Sequence, residues 1–230
     1  MIKKEIVVCI LNKNDGKNLN LLKSKIINIK KKYKTYLIDS NSTDNSLEIC
    51  KIVNLKVINV KNLSRGEAII KCINLFKNNF KYIIFTSSDG EEDLNDISKF
   101  KIYFKKGFDL VIASRTMPGG KFKSDSEIKW IHRKIFLKFI NFMISKLFKS
   151  NLYDCWNGFR GIRLNCFNKI KMTEKDYLVE AEMTIKFIKN KLKVTEFPTI
   201  ELPRRFGKSS NPTISSGFGH IKLLMKEYFI

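Results

Sequence analysis

The chain has 230 residues, 43% of them hydrophobic, which is enough for one well-packed core, and we expect residues 1–230 to form a single domain. The formal net charge of +22 favours anionic partners such as phosphates, anionic lipid or nucleic acid. The two histidines, His132 and His220, are too few for a histidine-based zinc site, and they argue against a serine–histidine–aspartate triad.

Strand-like and helix-like patterns alternate along the first half of the chain. This alternation predicts an α/β fold with a mostly parallel sheet and right-handed crossovers. The predicted strands cover 5–11, 35–38, 56–60, 82–85 and 109–113, and the predicted helices cover 17–32, 45–53, 67–77 and 94–105.

The second half has a different rhythm. After a loop at 115–127 we expect a long helix, then a loop and strand that end near Arg163, and then a helix, a strand and a final helix. The corresponding ranges are 128–149, 154–163, 176–190, 193–201 and 220–229, with a basic loop at 203–219.

The predicted helix 128–149 is apolar over more than half of its circumference, with lysine and arginine interleaved. Such a helix can lie in the interface of an anionic membrane, which suggests peripheral membrane contact. The alternative is a helix that packs in the core or between two copies of the chain, and a homo-oligomer therefore stays open.

Cysteine usage and the chain start indicate a cytosolic protein. The five cysteines are odd in number and form no C-x-x-C pair, so we expect reduced thiols. The first residues lead directly into a strand-like run, and we expect no signal peptide. No apolar run approaches the ~20 residues that span a bilayer.

The segment 81–93 reads as a buried strand that runs into an acidic turn. Asp89 and Glu91 follow the strand, and Asp93 is placed to cap the next helix. Two hard oxygen ligands at this point can hold a divalent cation, Mg²⁺ or Mn²⁺, against a substrate diphosphate. The alternative is a turn with solvated carboxylates.

Acidic residues recur where predicted strands end: Asp15, Asp39, and then Asp89 with Glu91. In a parallel sheet these positions share one edge, where open α/β proteins bind ligands. Such an edge suits a nucleoside-diphosphate ligand, because a bound metal neutralises the diphosphate and makes it a better leaving group.

A basic loop at 205–210 complements this edge. Arg205 can grip phosphate in a bidentate way, Lys208 adds a positive charge, and Ser209 adds a hydroxyl donor. The alternative is an ordinary solvated basic segment.

Several short motifs, in order along the chain, resemble the family-2 glycosyltransferases with the GT-A fold, and in particular the dolichyl- or polyprenyl-phosphate mannosyl- and glucosyltransferase branch. The resemblance spans residues 6–226. The motifs are Leu-Asn-Lys-Asn-Asp at 11–15, Asp-Ser-Asn-Ser-Thr-Asp at 39–44, Ser-Arg-Gly at 64–66, Ser-Ser-Asp-Gly-Glu at 87–91, Ser-Arg at 114–115, Asn-Gly-Phe-Arg at 157–160, Glu-Ala-Glu-Met at 180–183 and Arg-Arg-Phe-Gly-Lys-Ser at 204–209.

The resemblance implies an inverting transferase that moves a sugar from a GDP- or UDP-sugar to a polyprenyl phosphate or a cell-envelope glycan precursor. Residues 1–113 would bind the nucleotide-sugar, and 114–230 would form a helical, acceptor-side extension. Asp15, Asp39 and Arg65 would contact the donor.

The same resemblance implies that Asp89 and Glu91 hold the metal and that Asp89 also contacts the nucleotide-sugar donor. Arg115, Arg160 and Arg205, with Lys208 and Ser209 beside them, would contact the acceptor or phosphate, and Arg205 would act in catalysis. An acceptor hydroxyl would need a general base, for which Glu180, Glu182 and Asp154 are open alternatives.

Two departures from the family pattern leave a second hypothesis open. Ser87 and Ser40 stand where the family has aspartate, so the protein could bind a nucleotide-sugar without catalysing transfer. A nucleic-acid-binding protein is a third hypothesis. No recognition helix or aromatic RNA-binding motif is evident, however, and we expect no nucleic-acid partner.

Overall fold

The computed structural model describes residues 4–122, 129–207 and 213–229. The side chains of residues 4, 129–134, 137 and 213–217 are outside this description.

Nine strands and eight α-helices make up the described chain. The strands are β1 Lys4–Asn12, β2 Lys34–Asp39, β3 Lys56–Asn59, β4 Phe80–Ser87, β5 Leu110–Ser114, β6 Lys121–Phe122, β7 Arg160–Arg163, β8 Val194–Pro198 and β9 Ile200–Glu201. The helices are α1 Gly16–Leu21, α2 Lys23–Lys32, α3 Ser46–Ile52, α4 Arg65–Phe76, α5 Ile97–Lys105, α6 Lys129–Leu147, α7 Val179–Lys189 and α8 Thr213–Phe229. Short 3₁₀ turns at Leu94–Asp96 and Leu164–Lys169 complete the set.

Seven of the strands form one sheet in the order β3-β2-β1-β4-β7-β5-β8. All neighbours are parallel except β7, which runs antiparallel to both β4 and β5. The predicted α/β fold with a mostly parallel sheet is therefore confirmed. The strand order reverses between β1 and β4, so the carboxyl ends of these two strands diverge into a crevice.

The sheet is covered on both faces, which explains why its central strands are continuous apolar runs. Side chains that alternate along β1 enter two separate clusters, with Val7 and Cys9 on one face and Val8 and Ile10 on the other. Residues 6–10 of the strand are buried as a result, and they anchor the turn that follows the strand.

A third apolar cluster joins the long helices to the sheet edge. Ile140 and Ile144 of α6 and Leu223 and Leu224 of α8 pack with residues of α7. These contacts place α6 and α8 beside the carboxyl ends of the strands.

Four predicted elements differ from the structure. The strand predicted at 193–201 is two strands, β8 and β9, which belong to different sheets, and the loop predicted at 115–127 contains β6. The helix predicted at 17–32 is two helices that meet at Leu22. The loop predicted at 203–219 was wrong beyond residue 212, because α8 already begins at Thr213. Serine and glycine are weak helix formers, but packing of the later turns of α8 against α6 outweighs their local preference.

The predicted capping role of Asp93 is confirmed. The Asp93 side chain accepts a hydrogen bond from the Asn95 backbone N–H and so caps the turn after β4. All five cysteines are free and buried. Within the residues that the structure describes, no helix combines the length and apolarity needed to cross a bilayer.

Candidate active site

A cavity of about 630 Å³ opens at the carboxyl ends of β1 and β4, where the strand order of the sheet reverses. Asp15 follows β1, and Asp89 and Glu91 follow β4; all three line the cavity. The two strands are paired in register up to Leu11 and Ser87, so the turns that follow them start side by side. The structure therefore brings these three carboxylates to one cavity at the edge of the sheet.

The turn after β4 aims two carboxylates at one point. Gly90 has φ +82°, a conformation that other residues rarely adopt. Oδ1 of Asp89 accepts a hydrogen bond from the Glu91 backbone N–H at 3.1 Å, which closes the turn. Both side chains then reach the guanidinium of Arg204, at 2.8 Å from Asp89 and 3.0 Å from Glu91.

Burial and mutual repulsion make this cluster electrostatically costly. Burial, followed by the charge of Asp89, raises the pKa of Glu91 to about 7. Burial also raises the pKa of Asp15, although Arg204 opposes this change. Carboxylates in this situation are stabilised by a nearby cation.

Glu92 was missed in the sequence analysis. Its carboxylate lines the cavity and accepts hydrogen bonds from the Thr86 hydroxyl and the Ser87 N–H. Burial raises the pKa of Glu92 to about 8. Its place in a run of acidic residues was visible in the sequence, but not its inward orientation.

Asp39 lies beneath the cavity wall rather than in it. Its carboxylate is 1% exposed and accepts hydrogen bonds from Asn12 Nδ2 at 2.8 Å and from the hydroxyl of Ser42 at 2.6 Å. Ser40 and Asn12 line the cavity in its place. The predicted contact between Asp39 and the donor is therefore corrected: Asp39 supports the residues that form the cavity wall.

Arg65 and Glu180 also line the cavity. Nε of Arg65 donates to Oε1 of Glu180 at 2.7 Å. A Cβ atom on Gly158 would lie 2.3 Å from Arg65 Nη2, so only glycine leaves room for this guanidinium. The structure therefore places Arg65 in the cavity wall.

Arg115 also lines the cavity, but its guanidinium is already committed to two carboxylates. It donates to Asp154 from Nε at 2.8 Å and to Glu201 from Nη1 at 2.7 Å. These partners hold it rigidly at the end of β5.

Arg160 lies outside the cavity, which corrects its predicted phosphate contact. The side chain is 1% exposed, and its donors go to the backbone carbonyls of Asn157, Glu180 and Cys155. Burial lowers the pKa of Arg160 to about 10. The residue ties the turn before β7 to helix α7.

The two neighbouring arginines after β9 take different places. Arg204 lines the cavity, whereas Arg205 is exposed and does not line it. The loop pattern predicted Arg205 for this site, because two adjacent arginines in a sequence give no sign of which one points inward. Lys208 and Ser209 lie outside the described residues.

The three carboxylates considered as general bases differ in whether they line the cavity. Glu180 lines the cavity. Glu182 is buried against Thr173 and Lys186, and Asp154 is buried against Arg115. Of these three, Glu180 is thus the one in the cavity wall, where it is paired with Arg65.

The residues fit a divalent cation only in partnership with a ligand. In the described part of the chain, no group of three or more His, Cys, Asp or Glu side chains is arranged to hold a metal ion. Asp89 and Glu91 nevertheless converge on one cationic group with hard oxygen donors. Mg²⁺ commonly uses one or two carboxylates and completes its shell with substrate phosphates and water.

The sheet order and the cavity at its switch point are those of the GT-A fold, a Rossmann-like fold. Residues 5–171 match the model of the family described as glycosyl transferase family 2, and the chain belongs to that family.

Two curated relatives are similar to parts of the chain. Glycosyltransferase AglJ of Haloferax volcanii is 22% identical over 178 residues, covering 76% of this chain and 56% of that protein. Polyprenol monophosphomannose synthase of Mycolicibacterium smegmatis is 26% identical over 134 residues, covering 56% of this chain and 49% of that protein. The chain thus spans about half the length of the curated relatives it matches.

Solved structures show the same fold at low identity. Glucosyl-3-phosphoglycerate synthase of Mycobacterium tuberculosis, in complex with Mn²⁺, UDP and phosphoglyceric acid, has a TM-score of 0.71 and 14% identity, covering 99% of this chain and 79% of that one. The same enzyme with Mg²⁺ and UDP gives a TM-score of 0.70 at 13% identity, with 99% and 80% covered.

Proposed function

We propose that the chain is an inverting glycosyltransferase that moves a sugar from a GDP- or UDP-sugar to an acceptor. The observation that carries this proposal is the convergence of Asp15, Asp89 and Glu91 on one cationic group at the sheet's switch point. Membership of glycosyl transferase family 2 supports it. The complexes of its structural neighbours with UDP and Mn²⁺ or Mg²⁺ support the nucleotide and the metal.

The carboxylates have separate roles in the proposed donor site. Asp89 and Glu91 are the residues that would hold Mg²⁺ or Mn²⁺, and Asp15 orients the nucleoside. Asp39 keeps the wall around Asn12 in place from below. A bound divalent cation supplies neutralisation of the leaving diphosphate.

The proposed transfer is an in-line displacement. An acceptor oxygen forms a bond to the anomeric carbon while the bond from that carbon to the diphosphate oxygen breaks, and the electron pair leaves with the nucleoside diphosphate. A phosphate acceptor is already anionic and needs no base. A sugar hydroxyl would give up its proton, for which Glu180 is placed in the cavity wall.

We assign the phosphate contacts to basic residues on the acceptor side. Arg115 faces the cavity from the end of β5. Arg205, Lys208 and Ser209 follow β9 and would close over the donor or acceptor phosphate.

A polyprenyl phosphate is the acceptor that we favour over a soluble cell-envelope glycan precursor. The similarity to a polyprenol monophosphomannose synthase supports this choice. A second support is an apolar helix surface, which consists of Ile135, Phe139 and Phe142 of α6 and Phe218, Ile221 and Met225 of α8; all six side chains are more than 40% exposed.

The apolar helix surface adjoins the cavity. Phe136 and His220 belong to the same two helices and line the cavity, so each helix turns one face inward and another outward. The exposed Lys138, Lys146 and Lys222 accompany the apolar side chains. Aromatic side chains flanked by lysine suit the interface of an anionic membrane, and the free cysteines favour its cytoplasmic face.

Vesicle sedimentation tests the membrane contact. We expect the protein to sediment with phosphatidylglycerol vesicles and much less with phosphatidylcholine vesicles. The double substitution Phe139→Ser and Phe142→Ser should weaken this binding, whereas Ile52→Ser, at an exposed position on α3, should not. Equal binding of all three proteins, or a dimer through this surface, would contradict the assignment.

A protein that binds the nucleotide-sugar without turnover is the second candidate. The observation that favours it is that Ser87 and Ser40, which replace aspartates of the family pattern, both line the cavity. At these two positions the cavity therefore carries hydroxyl groups in place of carboxylates.

One experiment separates the two candidates. Thermal unfolding is measured with GDP-sugars and UDP-sugars, with and without Mn²⁺, because a ligand of the folded state raises the melting temperature. Transfer of labelled sugar to a polyprenyl phosphate or a sugar acceptor is then measured for the stabilising donor. Binding with transfer supports the enzyme, and binding without transfer to any acceptor supports the second candidate.

A matched pair of variants tests the metal assignment. Asp89→Asn should abolish the metal-dependent part of donor binding and transfer while the protein remains folded. Asp93→Asn changes a carboxylate on the same turn that caps the next turn and pairs with Lys25. Asp93→Asn should keep metal-dependent donor binding and transfer. Unchanged transfer in Asp89→Asn would contradict the metal assignment.

A further inference from the structure

Arg204 occupies the centre of the acidic cluster. Its guanidinium lies 2.8 Å from Asp89, 3.0 Å from Glu91 and 3.6 Å from Asp15. The side chain is 17% exposed. One guanidinium therefore serves three carboxylates at the place where the proposed function puts a divalent cation.

The backbone on both sides of Arg204 is tied to the cavity rim. Leu202 N–H donates to the carbonyl of Glu91 at 2.6 Å. The Phe206 backbone exchanges two hydrogen bonds with the Asn18 side-chain amide, at 3.1 and 3.0 Å. The segment 202–206 thus spans from the acidic turn to helix α1, and it delivers the guanidinium between them.

Like charges at this spacing repel one another unless a cation lies among them. Arginine suits the role because its planar group offers donors in several directions at once. A metal ion that bound Asp89 and Glu91 directly would displace this group, since both carboxylates already direct an oxygen at it.

The free energy needed to displace the Arg204 guanidinium differs with and without a bound diphosphate. Without one, the guanidinium loses its carboxylate partners and gains only water. With one, it can form bidentate, charge-assisted hydrogen bonds to phosphate oxygens. The same side chain can therefore oppose the metal alone and favour the metal together with its ligand.

We propose that Arg204 is an intramolecular counterion that couples metal binding to diphosphate binding: it holds the carboxylates of the free protein and moves to the diphosphate when donor and metal enter. This inference rests on the proposed function of the same cavity. By linkage, Mn²⁺ and a nucleoside diphosphate then bind cooperatively, each raising the affinity of the other by the same factor.

Calorimetric titration of Mn²⁺, alone and with saturating UDP or GDP, tests the proposal without measuring activity. In the unaltered protein we expect nucleotide to tighten Mn²⁺ binding by about tenfold or more. In Arg204→Gln, Mn²⁺ alone should bind about fivefold or more tighter, and the nucleotide should add less. Arg204→Lys should lie between them, because a compact ammonium cannot serve three carboxylates equally.

Lys101→Gln is the control for net charge. Lys101 forms an exposed ion pair with Glu5 outside the cavity, so this variant should titrate like the unaltered protein. Thermal unfolding shows that each variant is folded before titration.

The possible outcomes distinguish failure of the proposed function from failure of the proposed role of Arg204. If Mn²⁺ and both nucleotides fail to bind the unaltered protein, the proposed function and this inference fall together. If they bind, but Arg204→Gln shows the same Mn²⁺ affinity and the same nucleotide effect, the counterion role of Arg204 is overturned and the proposed function stands.

Discussion

Nε of Arg65 donates to Oε1 of Glu180 at 2.7 Å, although the two residues are 115 positions apart in the chain. Arg65 begins helix α4 in the first half, and Glu180 lies in the first turn of α7 in the second half. The ion pair joins the halves across the wall of the cavity.

Arg65→Ala should destabilise the protein by about 3 kcal/mol, because it leaves the carboxylate of Glu180 buried without its charged partner. Adding Glu180→Gln should recover part of this loss. Chemical unfolding of the two single variants and the double variant measures the coupling. Losses that simply add would show that the pair contributes nothing as a pair.

Gly158→Ala should lower stability by about 1–3 kcal/mol, because the new methyl group would lie 2.3 Å from Nη2 of Arg65. In an Arg65→Ala background the atom it meets is gone, so the same change should cost much less. A double-mutant cycle by chemical unfolding checks this. An equal cost in both backgrounds would contradict the steric explanation.

Arg160→Lys should cost about 3 kcal/mol or more, because lysine cannot supply the buried carbonyls of Asn157, Glu180 and Cys155 together. The matched change Arg205→Lys is at an exposed site and should alter stability by less than about 0.5 kcal/mol. Urea unfolding compares the two. A small effect at Arg160 would restore it as a candidate for ligand binding.

Glu196 should make stability fall as pH rises. Burial raises its pKa to about 7, while its oxygens accept the backbone N–H groups of Tyr153 and Asp154. The folded protein then holds this proton to higher pH than the unfolded chain does. The carboxyl group therefore destabilises the fold increasingly from about pH 4.5 to about pH 7, with no further change above.

The measurement is the unfolding free energy of the unaltered protein and of Glu196→Gln at pH 5 and pH 7.5. The difference between them should shift by about 2 kcal/mol in favour of the variant at the higher pH. Glu48→Gln, at an exposed position on α3, serves as the control. Parallel pH curves for all three proteins would contradict the role of burial.

The amino-acid pattern was enough to predict the layers of the fold and the edge of the sheet at which the site lies. Continuous apolar runs such as that in β1 predict buried parallel strands, because only a strand covered on both faces can be apolar throughout. Acidic residues directly after such strands must share one edge, since parallel strands end on the same side. Asp15, Asp89 and Glu91 were found in this way.

Which charged groups meet depends on long-range packing. Whether Arg204 or Arg205 points inward depends on how residues 202–206 are tied to Glu91 and Asn18, which are far away in the chain. Arg160 is kept out of the cavity because the backbone carbonyls of Cys155, Asn157 and Glu180 surround its guanidinium. Local sequence patterns cannot predict such partners, because these contacts form only after packing of the chain brings the groups within a few ångströms.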